Sequence, residues 1–243
     1  MRILGIIPAR YASTRFPAKA LTDIGGKSMV SRVYEQAKKA HSLSKVVVAT
    51  DHALIYEHVK QFGEVVMTAV QHPSGTDRCY ETLQNVEGQF DFVINIQGDE
   101  PFIRPEQINL LASSLSPEVE LATLAKRIED EESLFNPNNA RVILNKYSEA
   151  IYFSRQALPY VRSVPKEDWL KHHVFYKHIG IYAYRADVLE KITKLAPSSL
   201  EKAESLEQLR WIENGYKIKV TLTEYETVGI DTPEDLEKIK HLL

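Results

Sequence analysis

Apolar residues in the first half of the chain fall in short unbroken runs. Ile3-Leu4-Gly5-Ile6-Ile7, Val46-Val47-Val48-Ala49-Thr50 and Phe92-Val93-Ile94-Asn95-Ile96 are too short for helices and rich in β-branched side chains. Runs of this kind suit strands covered on both faces, as in a parallel sheet. Between them the spacing turns helical. Met29, Val30, Val33 and Ala37 predict a helix over Ser28 to Ala40, and Ala53 to Gln61 and Asp77 to Gln84 read the same way. This βαβα rhythm predicts an α/β fold, a mostly parallel sheet layered between helices.

The second half is less regular. Arg141 to Pro159 and Ile179 to Tyr184 read as strands, and Ala203 to Glu213 as a helix closed by Asn214-Gly215. Lys217 to Thr223 alternates as a half-exposed edge strand would. Thr232-Pro233-Glu234-Asp235 opens a last helix, with Thr232 as N-cap, Pro233 at the first helical position and Asp235 at N3. No repeat, low-complexity tract or linker stands out. One domain over 1–243 is expected, with residues 145–176 as an irregular, aromatic segment suited to a subunit contact.

Composition narrows the function classes. With 44% hydrophobic and 26% charged residues, the chain can bury a sizeable core. A net charge of −3 argues against nucleic acid as a bulk partner. The single cysteine, Cys79, allows no internal disulfide and fits a reducing compartment. No secretory leader pattern opens the chain, and no apolar run approaches the roughly 20 residues that span a bilayer. A cytoplasmic protein with no membrane partner is expected.

Against this slightly acidic background, Arg10, Arg15 and Lys19 crowd the loop after the first strand with no acid among them. Arginine forks and a mobile lysine suit phosphate oxygens, and this position is where open α/β sheets hold nucleotides. The loop reads as a triphosphate cradle. Gln97-Gly98-Asp99-Glu100-Pro101 follows another strand, so Asp99 sits at the same sheet edge, where hard oxygens suit Mg²⁺. An ion pair with Arg10 or Arg15 is the alternative. Asp231, just before the last helix, either supports that helix start or supplies a second acid to the same site. Ser74-Gly75-Thr76-Asp77-Arg78 leads into a helix whose N–H groups either favour an anion or a base edge, or are simply capped.

Familiar alternatives fail. Gly25-Gly26-Lys27-Ser28 lacks the earlier P-loop glycine, since position 21 is leucine. No G-x-G-x-x-G follows a strand, no G-x-S-x-G elbow occurs, and the eight histidines lack metal spacing, His172-His173 reading as a solvated pair.

Taken in order, the segments Ile6 to Lys19, Thr50-Asp51-His52, Ser74 to Arg78, Gln97 to Pro101, Phe135 to Asn138, Tyr152 to Arg155, His178 to Arg185, Leu206 to Arg210 and Gly229 to Leu236 resemble the 3-deoxy-manno-octulosonate cytidylyltransferases, the CMP-Kdo synthetases. The match covers essentially the whole chain. Ala18, Ala20 and Ala183 depart from it where many relatives carry Gly or Pro. The resemblance implies a three-layer, Rossmann-like nucleotidyltransferase fold, a homodimer, Mg²⁺, and transfer of CMP from CTP to Kdo for lipopolysaccharide synthesis. It further implies that Arg10, Arg15 and Lys19 hold the triphosphate, Asp99 and Asp231 the metal, and Ser74 and Arg78 the cytosine pocket. Gln97, Arg155, His178, Tyr182, Tyr184, Glu207 and Gln208 fall on the sugar side, with Arg155 alternatively a surface or dimer-contact residue. A related acidic sugar such as sialic acid, or a non-catalytic nucleotide-binding module, are the competing readings.

Overall fold

A computed structural model describes residues 1–12 and 16–238. In chain order the elements are β1 (Ile3–Ala9), α1 (Met29–Lys39), β2 (Lys45–Thr50), α2 (Ala53–Val59), β3 (Val65–Met67), α3 (Gly75–Asn85), β4 (Phe92–Asn95), α4 (Pro105–Ser113) and β5 (Leu121–Arg127). There follow α5 (Glu131–Phe135), β6 (Arg141–Leu144), β7 (Ala150–Ser154), α6 (Trp169–His172), β8 (Tyr176–Arg185), α7 (Ala186–Thr193), α8 (Ser199–Glu204), α9 (Gln208–Glu213), β9 (Ile218–Leu222) and α10 (Pro233–Lys238).

The chain divides into two compact units where one domain was expected. The first holds Met1–Ser113, Ala183–Thr193 and the segment from Thr227 onward. Its strands run in the order β3-β2-β1-β4, each pair parallel. The strand core is apolar throughout; Leu4, Ile6, Ile7, Val48, Val93 and Ile94 are fully buried, as strands covered on both faces require. Helix α1 packs on α4, and α3 on α7, so the sheet of this unit is layered between helices. Ser28 caps α1, its side chain accepting from Ser31 N, and the buried stripe Met29, Val30, Val33 and Ala37 is the one the spacing predicts.

The second unit comprises Ser114–Tyr182 and Lys194–Glu226. Here β5 lies between β8 and β9, pairing parallel with β9, while β6 pairs antiparallel with both β7 and β8. Two expectations are corrected. Arg141 to Pro159 is not one strand but the β6–β7 hairpin: Asn145 Oδ1 accepts from Tyr147 N (2.8 Å) and Glu149 N (3.0 Å), and Ser148 turns the chain with φ 58°. Likewise Ala203 to Glu213 is not one helix. A Ser198–Glu201 capping box starts α8 earlier, and Ser205 ends it at φ 53° before α9 begins.

Candidate active site

Because β1, β2 and β4 are parallel, the loops that follow them leave from one edge of the sheet. The chain leaving β1 and β4 at that edge, with His72 to Gly75 at the start of α3, lines a cavity of about 530 Å³ in the first unit. The approach of the first and third loops is close: a side chain on Gly98 would put its Cβ 2.4 Å from the carbonyl oxygen of Pro8. Only glycine lets the backbone pass there.

Lys19 is the centre of the cavity wall. Its Nζ donates to Asp99 Oδ2 at 2.8 Å and to Asp231 Oδ1 at 3.1 Å. The two acids lie 80 and 212 residues away in sequence, yet share one ammonium. Asp231 is delivered by packing and by backbone. Ile230 is buried against Ile24 and Met29, with Phe16, Phe102 and Leu236 around them, and Ile230 N donates to Asp99 O at 2.9 Å. Thr232 and Asp235 then cap α10 reciprocally, Thr232 N donating to Asp235 Oδ2 (3.1 Å) and Asp235 N to Thr232 Oγ1 (3.4 Å). Asp231 therefore does not serve as the cap itself.

The two carboxylates fit a hard divalent cation. They converge on a single positive charge, and among the described residues no group of three or more His, Cys, Asp or Glu could hold a metal unaided. Such a pair could hold Mg²⁺ only with oxygens from elsewhere completing its shell.

The other expected nucleotide residues divide. Arg10 is exposed at the cavity wall. Ser74 lines the cavity and also caps α3, accepting from Asp77 N at 3.2 Å. Arg78 lines the cavity too, although it is only 3% exposed and its guanidinium is held by Asp51, Thr68 and Ala69. Arg15 lies outside the described residues.

Of the sugar-side expectations, Gln97 alone lines this cavity. Tyr184, in the same unit, is fully buried with its hydroxyl near Thr76 Oγ1 and Asn95 Nδ2, both at 3.3 Å, which makes it core and not wall. The remainder belong to the second unit. Arg155 Nε donates to Glu204 O at 2.8 Å and its Nη atoms to Pro137 O and Ser205 O. His178 keeps some surface in solvent, but its ring is enclosed by Phe153 (5.1 Å) and Tyr182 (5.2 Å). That burial pushes its pKa down to about 3. Its Nε2 lies 2.9 Å from Thr123 Oγ1, which also lies 2.7 Å from Ile181 O and 3.1 Å from Ile179 O. Tyr182 packs edge-on against Trp211, Gln208 is 5% exposed, and Glu207 stands at the start of α9.

Two cavity features escaped sequence reasoning. His72 lines the wall and pairs with Glu81, nine residues on, a pairing that metal spacing among the histidines does not signal. Asp51 supports Arg78 from below, in a motif that carried resemblance without a role.

Comparison with known proteins supports the assignment from outside the geometry. The profile of the cytidylyltransferase family matches residues 4–218. A 3-deoxy-manno-octulosonate cytidylyltransferase of Cytophaga hutchinsonii is 59% identical over 241 residues, 98% of this chain and 96% of that protein. A solved CMP:2-keto-3-deoxy-manno-octonic acid synthetase in complex with CTP superposes with a TM-score of 0.92 at 40% identity, covering 100% of this chain and 98% of that one. The 4-diphosphocytidyl-2C-methyl-D-erythritol synthase of Anaerococcus prevotii, at 15% identity and a TM-score of 0.64 over 99% of this chain and 97% of its own, shares the fold. The expected mixed, mostly parallel nucleotidyltransferase sheet is therefore the observed one.

Proposed function

The chain belongs to the cytidylyltransferase family, among the 3-deoxy-manno-octulosonate cytidylyltransferases, and on that premise we propose that it joins CTP to Kdo, giving CMP-Kdo and diphosphate. The carrying observation is the single Lys19 ammonium held between Asp99 and Asp231 in a polar cavity at the strand ends.

In the proposed reaction, the anomeric hydroxyl oxygen of Kdo attacks the α-phosphorus of CTP in line. A new O–P bond forms, the bond from the α-phosphorus to the bridging oxygen breaks, and the hydroxyl proton is released. No covalent enzyme intermediate is needed; transfer of this kind asks chiefly for positioning and charge stabilisation. Arg10 and Lys19 supply positive charge to the triphosphate and the departing diphosphate. Asp99 and Asp231 would hold Mg²⁺, which when bound neutralises phosphate charge and acidifies the attacking hydroxyl. Gln97 reaches the cavity from the turn that carries Asp99 and is the sugar-side residue best placed for contact.

The proposal extends to a cytoplasmic homodimer. Tyr147, Ile151, Tyr160 and Val174 are 63%, 53%, 71% and 40% exposed within residues 145–176, apolar surface that a second copy would cover. Cys79, buried and reduced, is compatible with a reducing compartment. Among the described residues no helix is long and apolar enough to cross a membrane.

The test is a diphosphate-release assay with CTP or UTP against Kdo and sialic acid, with and without Mg²⁺. Release only with CTP, Kdo and Mg²⁺ is expected. Turnover with sialic acid instead would move the assignment to another acidic sugar, and CTP binding without release would mark a non-catalytic module.

A further inference from the structure

The segment Thr50-Asp51-His52 has no part in the reaction as derived, yet its side chains join two walls of the nucleotide cavity. Asp51 Oδ1 accepts from Tyr11 N at 3.2 Å, one residue past Arg10, while Oδ2 accepts from Arg78 Nη2 of α3 at 2.9 Å. Both side chains of this ion pair are nearly closed to solvent, 4% and 8% exposed. On its other side Arg78 Nη1 donates to Thr68 Oγ1 at 2.5 Å and Ala69 O at 3.3 Å. The segment from Thr68 to Ala69 is in turn tied back to β2, since Thr68 N and Thr68 Oγ1 both donate to Thr50 O, at 2.8 and 3.0 Å.

The same anchor reaches Lys19. Tyr11 O accepts from Ala18 N at 3.1 Å, closing the neck of the cationic loop directly before Lys19. The His52 ring lies flat on the Tyr11 ring, centroids 3.8 Å apart and planes 13° off parallel, while its Nδ1 caps α2 by accepting from Leu54 N. One carboxylate thus fixes the foot of the loop bearing Arg10 and Lys19 against the helix bearing Arg78.

We propose that Asp51 is a positioning residue for the nucleotide: it holds the cationic loop and the head of α3 at the separation that CTP requires, without touching CTP itself. This rests on the cytidylyltransferase reading above. Preorganised walls bind a flexible triphosphate without first having to be ordered, so their loss weakens nucleotide engagement before it weakens chemistry. The sugar should be unaffected, because none of these contacts belongs to the residues expected on the sugar side.

The experiment uses the full chain with Asp51→Asn and His52→Ala, measured by steady-state kinetics and by calorimetric titration of CTP. Asp51→Asn leaves the shape but weakens the buried pair, so the KM for CTP should rise about tenfold with kcat within about threefold of wild type and the KM for Kdo unchanged. An unchanged KM for CTP in a folded Asp51→Asn protein would overturn the proposal, as would equal rises for CTP and Kdo. If Asp51→Asn does not fold, His52→Ala decides: losing a ring stack without exposing a charge should raise the KM for CTP about threefold, and no change would reject the positioning role. Wild type run in parallel keeps the questions apart. No diphosphate from wild type would fail the functional reading, while the calorimetric CTP affinities still judge Asp51.

Discussion

Lys19 in the first unit and Arg141 in the second are both largely enclosed cations, 15% exposed at the side chain and 1% exposed overall, and they are handled in opposite ways. Lys19 faces two carboxylates across an open cavity. Among the described residues Arg141 has no acid against it, and it donates to four carbonyls, those of Asn139 (2.5 Å), Arg155 (2.7 Å), Ser133 (3.0 Å) and Leu134. Burial lowers its pKa, the direction expected for a charge removed from water without a counter-ion. A cation matched to backbone oxygens locks loops in place. A cation balanced between two acids at a cavity has partners for which a charged ligand can compete. Arg155 in the second unit follows Arg141 in donating to a carbonyl, that of Glu204, whereas Arg210 there pairs with the Glu201 carboxylate and Arg10 in the first unit stands exposed.

The contrast can be broken most severely at Arg141. Arg141→Met should leave four carbonyls without their donor and destabilise the protein by about 3–5 kcal/mol, read as a fall in Tm, at a position with no role in the chemistry. Asp99→Asn should do the reverse, cutting kcat at least about a hundredfold while the melting curve stays close to wild type. Near-normal turnover at saturating Mg²⁺ would remove Asp99 from the mechanism.

A subtler test concerns His178. Unfolded, its imidazole takes up a proton near the ordinary value of 6.5; folded, burial delays this to about 3. The unfolded state therefore binds more protons between these values, and the stability present above pH 6.5 is lost progressively as pH falls toward 3. His178→Gln should flatten that part of the Tm profile, and a profile identical to wild type would show that the ring is not buried in solution. The smallest effect is expected at Ala18, which holds φ 55°, a left-handed conformation that favours glycine. Ala18→Gly relieves a left-handed alanine but frees the unfolded chain, so the net gain should stay below about 1 kcal/mol, a Tm rise of about 2 °C.

Legibility in the sequence followed physical range. The first unit was readable because buried parallel strands demand unbroken apolar runs, and Ser28 and the Met29-Val30-Val33-Ala37 stripe mark a helix locally. The cationic loop was visible for the same reason: strand, cations and absence of acids are all adjacent. The meeting of Lys19 with Asp99 and Asp231 is not local, and residues alone left it open; only the resemblance pointed there. In the second unit Arg141 to Ser154 holds two short apolar runs around Asn145-Lys146-Tyr147-Ser148-Glu149, and the turn there is made by Asn145 side-chain bonds and a left-handed Ser148 that no strand pattern signals. Arg155 and His178 carry chemistry-bearing groups, and no pattern along the chain told that Glu204 and Thr123 would engage them.

Between Leu222 at the end of β9 and the start of α10, the chain passes from the second unit back to the first through a stretch without regular structure in which Glu224, Glu226, Val228 and Gly229 are exposed. Asp231 lies just beyond it, held in place by Ile230 and its bond to Asp99. A protease that nicks this tether would leave only the packing of Ile230 and its bond to Asp99 to keep that acid beside Lys19. Turnover is then expected to fall before either unit melts, a loss that assays of folding alone would miss.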